Sequence, residues 1–243
     1  MNFLYEPKGK AGKYAKLAVN ISKHCRHSCT YCYNVQPGRK TAEDYFRDDP
    51  PPKPGLVDGL RADCELWTRK HMVLPVPFVH LCFVGDPFPL DCDHTVTRAV
   101  IATLHAFNFP VQVLTKGLLA PEDFVALHPK DKLGFTITTM DEIEAARWEP
   151  KAAHPQDRLA QLVEARERGL QTWLSHEPAV SQAGSVTVVR AVAGAGLKPD
   201  PFWIGPMNHL AREYDWATVK VVLKETVREV GLTDVVKFKD EVE

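Results

Sequence analysis

No apolar run among the 243 residues is long enough to span a membrane, and the amino terminus has no apolar core of the kind a secretory signal needs. The expectation is a cytoplasmic chain that touches no membrane. Cysteine is scarce, at six residues, and half of it lies in one short stretch. That is no disulfide framework, and it suits a reducing compartment. Internal repeats, low-complexity tracts and clear linkers are also missing, so residues 16–243 are expected to bury one core as a single domain. Acidic residues are nearly absent from the front of the chain. Residues 1–40 carry Lys8, Lys10, Lys13, Lys16, Lys23, Arg26, Arg39 and Lys40 against Glu6 alone, a balance of +7 in a chain that sums to -1. With Pro7, Gly9 and Gly12, residues 1–15 read as an irregular basic arm that could lie along a phosphate backbone such as DNA. The alternative is a solvated tail that offsets an acidic body. No basic strip interleaved with aromatics, of the kind that stacks single-stranded bases, occurs anywhere.

A fourth cysteine is missing where three stand together. Cys25-Arg26-His27-Ser28-Cys29-Thr30-Tyr31-Cys32 has the spacing C-x3-C-x2-C, and three thiolates so placed can hold three corners of a cubane iron–sulfur cluster. One iron would then stay open to a substrate or cofactor. Two other readings of the same residues stand beside this one: three packed thiols, or a zinc site completed by His24 or His27. Cys64, Cys82 and Cys92 make no second cluster motif. Cys64 falls inside a helical pattern and reads as a small packed residue.

What the chain has in quantity is alternation. Short apolar runs at Lys16–Ile21, Phe78–Val84, Val111–Thr115, Leu133–Thr138, Thr172–Ser175 and Phe202–Gly205 are separated by helical patterns. Those helices are expected near Gly55–Lys70, Thr95–Phe107, Pro121–Leu127, Gln156–Arg168, Gln182–Ala195 and Trp216–Val230. Residues 36–54, with Pro50-Pro51-Pro52 and Pro54, read as loop. Six strands alternating with helices imply parallel βαβ units, an α/β fold whose chemistry gathers at the carboxyl ends of the strands. Those ends carry the three cysteines; Cys82, Gly85 and Asp86; Thr115-Lys116; Thr136 and Thr138; Ser175-His176-Glu177; and Gly205-Pro206, with Asn208 and His209 just beyond.

The cysteine loop, with aromatic Tyr31 inside its C-x2-C pair, resembles that of the radical S-adenosylmethionine (SAM) superfamily. Six units match the open partial (β/α)6 barrel of that family. From the loop to about Pro178 the chain resembles the spore photoproduct lyase branch. The motifs that carry this are Val113-Leu114-Thr115-Lys116, Phe135-Thr136-Ile137-Thr138, and Glu149-Pro150 followed by Asp157-Arg158-Leu159. Asp86 matches the branch's Ser/Thr-Asp pair, whereas Gly85 departs from it.

The resemblance implies a [4Fe-4S] cluster on Cys25, Cys29 and Cys32, with SAM chelating the open iron. It places Asp86 at the SAM amino group, Lys116 at its carboxylate, and Thr136 and Thr138 at the ribose. Tyr33, the Gly85 loop and the backbone around Glu177 would complete the cofactor site, and Cys82 would return a hydrogen atom to the product radical. Glu149 and Arg158 are expected as a structural ion pair. The implied activity is reductive SAM cleavage followed by hydrogen abstraction, fed by an electron donor such as flavodoxin or ferredoxin. The substrate is open between a DNA lesion and a peptide or small metabolite. A non-catalytic metal-binding module is the remaining alternative.

Overall fold

The structure, a computed structural model, describes residues 3–35, 38–71, 76–208, 210 and 214–239. A short strand β1 (Leu4–Tyr5) pairs antiparallel with β2 (Leu17–Val19). Next come α1 (Ala42–Tyr45) and α2 (Leu56–Lys70), then β3 (Val79–Leu81), α3 (Thr95–Ala106), β4 (Val111–Thr115) and α4 (Pro121–Val125). The chain continues through β5 (Lys132–Thr136), α5 (Glu142–Trp148), α6 (Pro155–Glu167), β6 (Gln171–Ala179) and α7 (Gln182–Gly194). It closes with β7 (Phe202–Pro206), α8 (Trp216–Glu229) and β8 (Val236–Phe238). One sheet runs in the order β1-β2-β3-β4-β5-β6-β7-β8, parallel from β2 onward and open, with β1 and β8 at its edges.

The six expected strands are β2 to β7, and the fold is the expected α/β partial barrel with two short edge strands added. Part of the basic arm joins the sheet as β1. Residues 36–54 are not all loop, because Thr41 caps α1: its hydroxyl accepts from the Asp44 amide at 3.0 Å.

Alternation along the strands decides what faces where. Val111 and Val113 join the apolar layer beneath the helices, while Gln112 between them points inward and meets His80 Nδ1 at 3.3 Å. The barrel interior is filled by aromatics. Trp173 of β6 lies across β5, where a Cβ on Gly134 would come within 2.4 Å of the indole nitrogen, so only glycine admits it. Tyr14, from the arm, packs against Phe83, Trp173 and Trp203 with ring centroids 6.2, 6.4 and 6.1 Å away. Caps fix the helix starts: Ser181 accepts from the Gly184 amide and Asp215 from the Thr218 amide. Each helix therefore begins a fixed distance past its strand, which sets the polar strand ends around one mouth.

Candidate functional site

The cysteine loop leaves the end of β2 and is framed by backbone contacts as well as by its own side chains. Cys25 bridges to Phe46, with its amide 3.3 Å from the Tyr45 carbonyl and its own carbonyl accepting from the Arg47 amide at 3.0 Å. The Thr30 amide donates to Trp148 at the end of α5, and Cys32 turns back onto the Cys29 carbonyl at 3.1 Å. Cys29 is buried and Cys25 and Cys32 are half-buried; none of the six cysteines is in a disulfide. Cys64 is fully buried in α2, as expected of a packed residue. Burial pushes the Cys29 thiol up to about 12, although Lys116 nearby draws it down.

Gly85 explains its own departure from the resembling motif. It has φ of +88°, and a Cβ there would lie 2.5 Å from the His24 carbonyl oxygen. The β3 loop thus presses directly on the cysteine loop, and any side chain would separate them. Asp86, next in sequence, ties the same parts together. Its Oδ1 accepts from the Phe88 amide at 2.9 Å and the Thr115 hydroxyl at 2.5 Å, and its Oδ2 from the Lys116 amide at 2.9 Å. His27 Nε2 stands 3.0 Å from that same Oδ2, a short approach without hydrogen-bond alignment. Burial alone would raise the Asp86 carboxyl; His27, Thr115 and the Lys116 amide bring it down to about 2.

Beneath the loop is a buried polar floor. Glu149 and Arg158 form the expected ion pair at 2.7 Å, both almost wholly buried. Tyr31 donates its hydroxyl to Glu149, and Arg158 reaches the Thr136 carbonyl at 2.5 Å. Burial opposes the Glu149 charge, but Arg158 and Lys116 hold its carboxyl below the usual range. The Lys116 ammonium stands 5.7 Å from the Tyr31 ring centroid. Burial works against its charge too, yet Cys29, Glu149, Asp86 and Cys25 hold it above the ordinary lysine range. Thr136 ends β5 and Thr138 lies two residues beyond; both are buried, and the Thr138 hydroxyl has no hydrogen-bond partner.

Other expected residues are spread around the mouth. Tyr33 is exposed, donates its hydroxyl to the Phe83 carbonyl, and carries the Arg39 guanidinium 5.8 Å over its ring. Cys82 follows β3 with φ of +69°; it is buried, and its Sγ accepts from the Ile21 amide at 3.5 Å. Burial pushes that thiol up to about 12. His209 lies outside the described residues. Glu177 is committed through its side chain: Tyr14 donates to it at 2.8 Å, Ser175 at 3.2 Å, and Lys239 pairs with it at 2.9 Å. Tyr14, Trp203 and Lys239 are absent from the expected set. They come from both ends of the chain, and no local motif announces them.

Among the described residues, no three His, Cys, Asp or Glu side chains draw together as a single metal ion requires. The loop does offer three soft sulfur donors on one short stretch of chain, with the half-buried Lys116 ammonium beside them and an unpartnered Thr138 hydroxyl beyond the end of β5. That donor set fits an iron–sulfur cluster carrying a polar cofactor. Among the described residues, no helix is long and apolar enough to cross a membrane.

No protein-family model matches the chain, and no curated protein matches it in sequence. Solved structures match it in fold. A spore photoproduct lyase mutant with bound AdoMet and dinucleoside spore photoproduct aligns over 98% of this chain and 79% of its own, at TM-score 0.72 and 12% identity. A second spore photoproduct lyase mutant aligns over 100% of this chain and 81% of its own, at TM-score 0.71 and 11% identity. Streptococcus suis SuiB bound to S-adenosylmethionine aligns over 93% of this chain at TM-score 0.67 and 12% identity, and the chain spans 50% of the length of SuiB. The chain has the open partial-barrel fold of these proteins, the fold expected from its resemblance to the radical SAM superfamily.

Proposed function

We propose that this chain is a radical SAM enzyme, in which Cys25, Cys29 and Cys32 hold a [4Fe-4S] cluster and SAM occupies the floor beside it. The observation that carries the proposal is the three-cysteine loop at the carboxyl end of β2, with the Lys116 ammonium 5.7 Å from the ring of Tyr31 in that loop. The fold shared with proteins whose structures hold AdoMet supports it. When bound, cluster and SAM together supply a one-electron reductive cleavage that yields methionine and a 5′-deoxyadenosyl radical able to take a hydrogen atom from substrate.

The chain's own residues bind, orient and shield. Lys116 meets the SAM carboxylate, a charge-assisted contact for which its half-buried ammonium stands beside the cysteine loop. Asp86 is more occupied than the sequence implies. A carboxylate has about four acceptor sites, and the amides of Phe88 and Lys116, the Thr115 hydroxyl and His27 already face them. His27, the one contact at Oδ2 that lacks hydrogen-bond alignment, would yield that place on Asp86 to the SAM ammonium. Thr136 and Thr138 take the ribose hydroxyls. Tyr33 and the backbone at Glu177 enclose the adenine, while the Gly85 loop carries Asp86 to the SAM amino group. The Glu149–Arg158 pair fixes the strand end from below. The electron would come from a donor such as flavodoxin or ferredoxin.

SAM titration onto the anaerobically reconstituted chain tests this reading. Saturable binding that is lost in Cys29→Ala is expected, and equal binding by wild type and Cys29→Ala would overturn it.

On substrate, the lyase reading has a specific observation behind it. A structure of the same fold, 79% of whose chain is matched here, holds a dinucleoside photoproduct, and Lys8, Lys10, Lys13 and Lys16 are all exposed. If four to six cations engage duplex DNA, affinity should fall with salt at a log–log slope of roughly -3 to -5. Cys82 would then be the hydrogen-atom donor, and Cys82→Ala should change the product formed from a lesion substrate. The peptide reading rests on SuiB, one structure of which is bound to precursor peptide SuiA.

A further inference from the structure

The interior of the barrel holds one charged pair that the cofactor chemistry does not use. Lys239, just past β8, reaches in and places its ammonium 2.9 Å from Glu177 Oε1. The ammonium also sits 3.8 Å from the Tyr14 ring centroid and 5.0 Å from that of Trp203. Both distances are within the range of cation–π attraction. The carboxylate is held in place by the Tyr14 and Ser175 hydroxyls on its other oxygen. It fits because residue 205 is glycine: a Cβ there would lie 2.9 Å from Glu177 Oε1. Two aromatic faces and one oriented carboxylate make a cage for an ammonium ion, and the chain's own lysine fills it.

Register sets this cage beside the cofactor floor. Thr136 pairs with Ser175, and Ser175 pairs with Trp203, so all three point to the same face of the sheet. The Glu177 and Lys239 side chains are 19% and 24% exposed, so the cage opens on solvent. We propose that Tyr14, Trp203 and Glu177 form the substrate-recognition subsite, that it takes a primary alkylammonium group, and that Lys239 holds the place until substrate arrives.

Charge decides between a cation and an anion as the ligand. Replacing one ammonium by another leaves the buried charge unchanged, even with Lys10 and Lys13 close by. Inserting an anion would set it against the Glu177 carboxylate. Lys239 is also a costly occupant: burial, with Lys13 and Lys10 nearby, draws its ammonium down to about 7. Burial likewise lifts Glu177 to about 7, against the Ser175 hydrogen bond.

The proposal rests on reading this mouth as the substrate side of a radical SAM enzyme that acts on a peptide or small metabolite, since a DNA lesion carries no alkylammonium group. Its test needs neither iron nor SAM, so failure here leaves the cofactor reading standing. The full chain is titrated with n-butylammonium, its neutral counterpart n-butanol, and Nα-acetyl-L-lysine methylamide, following the fluorescence of Trp203 and Trp173. Removing the resident occupant removes a competition, so Lys239→Met, or Lys239→Gln as a second variant of similar length, should bind n-butylammonium about tenfold tighter than wild type. The double variant Glu177→Gln/Lys239→Met should keep its fold and lose that binding. Tighter binding of the lysine derivative would assign a peptide lysine as the source, and tighter binding of n-butylammonium a free amine. Unchanged affinity in both Lys239 variants, or n-butanol binding as well as n-butylammonium, would overturn the proposal. So would unfolding of both Lys239 variants, which would make the pair structural.

Discussion

On the β2–β5 side of the barrel mouth the buried charges are locked. Asp86 receives two backbone amides and a hydroxyl, and Glu149 is held by Arg158 and Tyr31. On the β6–β8 side, Glu177 and Lys239 hold each other at a partly exposed mouth, and burial draws both toward neutrality. The first arrangement is preorganised, with its dipoles aimed before any ligand arrives. The second is exchangeable, because one member sits at the end of an unbranched side chain just past an edge strand. A fixed cofactor and a passing substrate need these two kinds of site.

The hardest way to break the locked side is through Arg158. Arg158→Met leaves the fully buried Glu149 carboxylate unpaired and should cost about 3–5 kcal/mol, read by urea unfolding. A loss near 1 kcal/mol would show that the floor is not locked. On the other side, Lys239→Met should cost far less, since Glu177 can take a proton.

Asp86→Asn should have the next largest effect, and pH gives it a signature. The folded carboxyl is depressed from 3.8 to about 2. Its contribution is therefore complete above the unfolded value and is lost as pH falls from about 4 through about 2. At roughly 1.4 kcal/mol per unit this amounts to about 2 kcal/mol. The stability gap between wild type and Asp86→Asn should be widest at pH 6 and should shrink by pH 3. A gap independent of pH would mean that the carboxylate charge is not what is held.

Thr138→Val should have the smallest effect and the most discriminating one. Its hydroxyl is buried without a partner, so removing it should leave the cofactor-free chain unchanged or more stable by about 1 kcal/mol. If the hydroxyl serves the ribose, the same change should weaken SAM binding. A destabilised chain with SAM affinity intact would make Thr138 a structural residue.

Much of the locked side is legible in the sequence, and little of the other side is. The cysteine spacing, the Thr115-Lys116 strand end and the Glu149…Arg158 pair are each local, so a short window of chain displays them. The six inner strands show because each is an apolar run bounded by turn residues. β1 and β8 escape that pattern: they are two and three residues long, and Lys237 interrupts the apolar pair of β8. Thr41-Ala42-Glu43-Asp44 is a capping sequence, but it starts a helix of only four residues beside a proline run that reads as loop. Gly85 looked like a defect in a motif, and only the approach of the His24 carbonyl shows why a glycine belongs there. Of the cage, only Ser175 and Glu177 show in the sequence, as one polar strand end. Tyr14, Ser175, Glu177, Trp203 and Lys239 meet only because the sheet carries its two edges around toward each other.

The central claim is that the locked side holds a cluster and SAM that react together. Anaerobic reconstitution with iron and sulfide, followed by SAM and a strong reductant, tests it most directly, with 5′-deoxyadenosine and methionine quantified against time. Wild type should turn brown and release both products in equal amounts, while Cys25→Ala, Cys29→Ala and Cys32→Ala should do neither. A wild-type chain that binds zinc in place of iron, or that carries the cluster and leaves SAM uncleaved, would contradict it.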